Sequence, residues 1–95
     1  MAEKARLSYV EIMMEMDDIT KEYSDLLTKA NETKTPVLRS ENGHEKLTRM
    51  KERLEALQTP IERLDSYFER ADANEFLTPL LNAVRSSLTH PLRHL

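Results

Sequence analysis

Ninety-five residues allow a single domain, and the absence of cysteine and tryptophan with only one glycine excludes disulfide scaffolds, thiolate metal sites and glycine-rich phosphate loops. The net charge of −3 argues against a general nucleic-acid binder, which would carry a basic face. No stretch approaches the roughly 18 apolar residues of a membrane span and no leader-like apolar segment follows Lys4 and Arg6, so the chain reads as soluble and intracellular.

The first predicted helix covers about residues 3–30. Ala2, Ala5, Tyr9, Ile12, Met16, Ile19, Tyr23, Leu26 and Ala30 alternate by three and four, the spacing that lays one apolar stripe along an α-helix. Val10, Met13, Met14 and Leu27 widen the stripe, as on a helix that packs against more than one neighbour. Its polar side is acidic, with Glu11, Glu15, Asp18, Glu22 and Asp25 in helical spacing. Residues 1–33 hold eight acidic and four basic groups and residues 34–72 hold eight of each, a distribution that suits an antiparallel pair.

A loop over about 31–42 follows. Pro36 biases Thr35 away from helix, and Ser40, Glu41, Asn42 and Gly43 form a turn-rich cluster. The loop reads as a flexible insertion rather than a recognition element. Asn42 and Glu45 have capping spacing and open a second helix predicted over about 43–72. Leu47, Met50, Leu54, Leu57, Ile61, Leu64, Phe68 and Ala71 form an unbroken ladder with the repeat of coiled-coil or bundle packing. Thr59-Pro60-Ile61-Glu62 interrupts it with a second capping pattern, but the heptad phase continues across, which favours a kink at 59–60 over a break.

Beyond Ala71 the ladder fails, and Asp72, Ala73 and Asn74 read as a break. A short third helix over about 75–89, capped by Asn74 or Thr78 with Pro79 in its first turn, carries Phe76, Leu77, Leu80, Leu81, Val84 and Leu88. Residues 90–95 are predicted to fray. The expected fold is all-α: one domain made of a long, coiled-coil-like antiparallel helical hairpin and a short third helix.

Chemistry is sparse. His90 and His94 have ligand spacing, but Pro91 lies between them and no third ligand follows, so they read as surface histidines. A diiron bundle requires Glu-x-x-His on facing helices, whereas the only such spacing, Glu41 to His44, falls in the turn-rich cluster, and the acidic side of the first helix reads as a solvated face. No serine sits in a nucleophile elbow. The expectation is a protein without catalytic residues, metal or cofactor.

From Lys21 onward the order of features resembles a known family. The matching residues are Lys21-Glu22-Tyr23, Asn31-Glu32-Thr33-Lys34-Thr35, a second amphipathic helix ending in Asp65-Ser66-Tyr67-Phe68-Glu69, then Phe76-Leu77-Thr78-Pro79-Leu80-Leu81 and His90-Pro91. Together they resemble the N-terminal helical region of the third subunit of the conserved oligomeric Golgi complex. That resemblance implies a vesicle-tethering assembly in retrograde Golgi traffic, built through N-terminal helical bundles. It also implies a fragment or truncated form, cytoplasmic and peripheral on Golgi membranes through its complex. The interhelical loop is longer than the family's, and the family brings no catalytic residues.

The expected function is therefore a helical assembly module that buries its ladders against each other and against a helical partner or a second copy. The expected core is Ile12, Met16, Ile19, Tyr23, Leu26, Leu47, Met50, Leu54, Leu57, Ile61, Leu64 and Phe68. Partner contact is expected from Val10, Met13, Met14, Leu27, Phe76, Leu77, Leu80, Leu81, Val84 and Leu88. The competing expectation is a small monomeric three-helix adaptor or co-chaperone that binds through a charged helix face, its third helix filling the hairpin groove.

Overall fold

In the computed structural model, which describes residues 7–39 and 42–89, the chain forms helix α1 (Tyr9–Thr33), a 3₁₀ turn (Val37–Arg39), α2 (Gly43–Ala56), the short α3 (Gln58–Glu62) and α4 (Tyr67–Thr89), with no strand among the described residues. Ala2, Ala5, Ser40, Glu41 and the predicted tail 90–95 lie outside the described residues.

Helix α1 starts where its capping chemistry is. Ser8 Oγ accepts the Glu11 backbone N–H at 3.1 Å, and the Ser8 N–H donates to Glu11 Oε1 at 2.8 Å. That closed box satisfies donors that the first turn cannot pair internally. The helix runs three residues further than expected and ends at Lys34, which adopts a left-handed conformation (φ 54°) while the Thr35 N–H reaches back to the Ala30 carbonyl at 2.9 Å. Its ladder points inward as read: Ile12, Met16, Ile19, Leu26 and Ala30 are buried, with Tyr9 and Tyr23 half-buried.

The second ladder is only partly one helix. Leu47, Met50, Leu54, Leu57, Ile61 and Leu64 are all buried, yet the chain turns at Leu57 and again over residues 63–66. Neither expected cap forms. Asn42 is left-handed (φ 63°) and makes no side-chain cap bond, and Leu57 rather than Thr59 precedes α3. Pro60 is tolerated because it lies in the first turn, where an N–H would lack an intrahelical acceptor. The predicted kink at 59–60 is therefore a break into two helices.

The largest departure is the end of that ladder. A phase argument holds only while the helix is continuous, and residues 63–66 reset the rotation. Ser66 Oγ accepts the Glu69 N–H at 3.2 Å, and Arg70 Nη1 reaches back to the carbonyls of Leu64 and Asp65. These contacts start α4 at Tyr67 instead of about 75. Phe68, expected in the core, is 74% exposed, while Ala73, expected in a break, is fully buried. Asn74 and Thr78 cap nothing, because both lie inside α4, as does Pro79. With 23 residues α4 is longer than the 14-residue α2, so the third helix is not short.

Helix α4 runs parallel to α1. Tyr9 donates its hydroxyl hydrogen bond to the Asp72 carboxylate, while fourteen residues later Tyr23 Oη meets the Ala83 carbonyl at 3.2 Å and Ser87 Oγ at 2.8 Å. Ala56 and Leu57 at the end of α2 share a groove with Leu7 and Glu11 at the start of α1, the placement of an antiparallel return. Arg53 ties α2 to α1 through Glu15 at 2.9 Å and Glu22 at 3.0 Å, and Arg85 ties α4 to Glu55 of α2 at 2.9 Å. The result is an up-down-up bundle in which all three long helices meet around one core. Gly43 makes the 3₁₀ turn possible: a Cβ there would lie 1.8 Å from the Val37 carbonyl oxygen.

Candidate functional site

Ten residues were expected to meet a partner, and the bundle divides them. Leu77, Leu81 and Val84 are buried in the core, because α4 turns that stripe toward α1 and α2, so their surface is already covered. Met13, Leu80 and Leu88 are half-buried against the same core. Val10, Met14, Leu27 and Phe76 remain exposed, at 62%, 64%, 37% and 55%.

The parallel register sets which of these residues lie level with one another. The Tyr9–Asp72 and Tyr23–Ser87 pairs set α4 residues about 63 positions ahead of their α1 neighbours. Phe76 is thereby level with Met13 and Met14. Val10 precedes Met14 by one helical turn on α1, and Leu80 follows Phe76 by one turn on α4. Leu27 stands apart near the far end of α1.

Sequence reasoning missed Tyr67 and Phe68, exposed at the start of α4. The signal was present: Ser66-Tyr67-Phe68-Glu69 has the spacing of a capping box, and reading it as a helix start would have turned Phe68 out of the ladder. The Arg70 guanidinium stands 5.9 Å from the Tyr67 ring centroid. Phe68 lies two turns before Phe76, with Asp72 midway on the same helix face.

Acidic groups outnumber basic ones around these residues, with Arg63 sharing a groove with Val10 and Glu69. On α1, Asp17 and Asp18 follow Met14, and on α4, Glu69, Asp72 and Glu75 surround Phe68 and Phe76. Lys21 lies 3.3 Å from Asp17. The hydrogen bond to Asp72 holds the Tyr9 phenol above its ordinary range, with burial and the Asp72 and Glu69 charges acting in the same direction. Arg53 is likewise held further into its charged form, chiefly by its hydrogen bond to Glu15.

Among the described residues no three His, Asp or Glu side chains gather into a metal-binding group. His44 is exposed on α2, whereas His90 and His94 lie outside the described residues. None of the described helices is long and apolar enough to cross a membrane. No family model, curated protein or solved structure matches this chain.

Proposed function

We propose that this chain is a non-enzymatic assembly module, a three-helix bundle that seats a helical protein partner along its α1–α4 edge. One observation carries the reading: Val10, Met14, Phe68 and Phe76 stay exposed on a bundle whose ladders are otherwise buried. Fully burying a phenylalanine removes about 150–250 Å² from water, and Phe68 and Phe76 stand 74% and 55% exposed. Covering the roughly 250 Å² they leave open would contribute about 6 kcal/mol. An exposed ion pair contributes about 0–1 kcal/mol, so the apolar side chains and not the rim decide the affinity. Association itself costs at least about 4 kcal/mol, so this edge alone supports a reversible contact rather than a permanent one.

The residues that resemble the third subunit of the conserved oligomeric Golgi complex support a vesicle-tethering complex as the assembly. The chain would then act in the cytoplasm, peripheral on Golgi membranes through its partners. One element departs from that pattern, since Tyr67-Phe68-Glu69 opens α4 rather than closing the second helix.

The test is retention of a stoichiometric partner by the tagged chain. Met14→Ser with Phe76→Ser should abolish retention without changing helicity by circular dichroism, while Arg49→Ser on α2 should leave it intact. Equal retention by both variants would refute the reading. It would instead favour a monomeric adaptor or co-chaperone that binds through a charged face, a second reading favoured by the way α4 fills the groove between α1 and α2.

A further inference from the structure

Resting on that assembly reading, we propose that the occupant of the α1–α4 edge is a basic amphipathic helix, and not a second copy of this chain. Charge complementarity around the exposed apolar residues favours such an occupant. Val10, Met14, Phe68 and Phe76 are flanked by Asp17, Asp18, Glu69, Asp72 and Glu75. Of the nearby cations, Lys21 forms an exposed pair with Asp17 at 3.3 Å, Arg70 is turned back onto the carbonyls of Leu64 and Asp65, and Arg63 shares a groove with Val10 and Glu69, so the carboxylates outnumber the cations. Arg53 and Arg85 are spent on the α2 side, against Glu15, Glu22 and Glu55. What is left exposed is Val10, Met14, Phe68 and Phe76 with a border in which carboxylates outnumber cations.

A helix fits this strip on two grounds. Val10 and Met14, one turn apart on α1, and Phe68 and Phe76, two turns apart on α4, present anchors at helical repeat distances, the way an amphipathic helix is read from a groove. Methionine adapts to the shape of the side chains it meets, so a range of Leu, Ile or Phe positions can be accommodated. Lysine or arginine beside the partner's apolar stripe would then meet the carboxylates. A second copy docking edge to edge would set the same carboxylates against each other, which disfavours self-association through this surface.

The probe is a fluorescent 18-residue peptide with leucine at helical spacing and lysine elsewhere, titrated into the full chain and followed by anisotropy. Two companions carry glutamine or glutamate in place of every lysine. The lysine peptide should bind at least ten-fold more tightly than the glutamine peptide, and the glutamate peptide should not bind. Raising the salt should weaken binding. Met14→Ser with Phe76→Ser, and separately Asp18→Asn with Glu75→Gln, should each weaken the lysine peptide at least ten-fold, while Glu52→Gln on α2 leaves it unchanged.

Equal binding of the lysine and glutamine peptides would overturn the basic partner and leave the assembly reading standing. Loss of binding with Glu52→Gln, or indifference to Met14→Ser with Phe76→Ser, would overturn the proposed edge. Binding of no peptide, with partner retention in the pull-down still lost on Met14→Ser with Phe76→Ser, would refute the basic helix alone. Loss of neither would refute both proposals.

Discussion

Helices α1 and α4 begin with the same pattern, Ser8-Tyr9-Val10-Glu11 and Ser66-Tyr67-Phe68-Glu69, and the two starts end differently. At α1 both halves of the capping box are closed, and Tyr9 packs toward α4 and bonds to Asp72. At α4 Ser66 takes the Glu69 N–H, but Tyr67 is turned outward at 76% exposure beneath Arg70. The cap fixes where each helix starts, whereas the stripe that follows fixes which way it faces. In α1 that stripe runs through Tyr9, Ile12 and Met16, and in α4 through Ala73, Leu77, Leu81 and Val84. Tyrosine after the capping serine is thus inward in one helix and outward in the other.

The sharpest break of this comparison sets a buried ladder position against one that only shares its phase. Ile61→Ala should cost about 2–5 kcal/mol of unfolding free energy, because Ile61 is fully buried. Phe68→Ala should stay within about 0.5 kcal/mol, because its ring is already in water. Urea titration of the two variants measures both, and similar losses would return Phe68 to the core. Next in size is Gly43→Ala, expected to cost about 1–3 kcal/mol by the same titration, since the added methyl has no room against the Val37 carbonyl.

The two caps follow. Ser8→Ala and Ser66→Ala should each cost about 1 kcal/mol by thermal unfolding, because each removes one bond between the serine Oγ and the N–H three residues on, while the Ser8 N–H keeps its bond to Glu11. The smallest expected change is at Tyr9. Its phenol titrates higher in the folded chain than in the unfolded one, so its stabilising effect is complete below the unfolded value of about 10. That effect is lost as the pH rises through the folded value. Tyr9→Phe should remove this alkaline loss from a series of urea midpoints above neutral pH, while Tyr67→Phe should leave it in place.

Much of the core was legible because periodicity reports burial even where the helix itself is interrupted. Leu57, Ile61 and Leu64 are buried as their spacing implied, although they fall on a turn, on α3 and on the following linker. Phe68 marks where that inference fails, since four residues outside helical geometry separate it from Glu62 and its orientation is set by α4. Pro79 misled in another way. A proline suggests a helix start, yet here the buried Ala73 and Leu77 before it and Leu81 and Val84 after it carry α4 through. At the edge, Val10, Met14 and Phe76 were visible as apolar residues beyond what one seam needs. Which α4 residues lie level with them could not be read from spacing, because it depends on the parallel register fixed by Tyr9 and Tyr23.

That register is the premise of the docking edge, and spin-label distances test it directly. A label pair at Thr28 and Thr89 should be clearly closer than a pair at Thr28 and Phe68, which the parallel arrangement separates by about 21 further residues, about 32 Å along the helix. A shorter Thr28–Phe68 distance would mean that α4 runs the other way, and the edge would not exist.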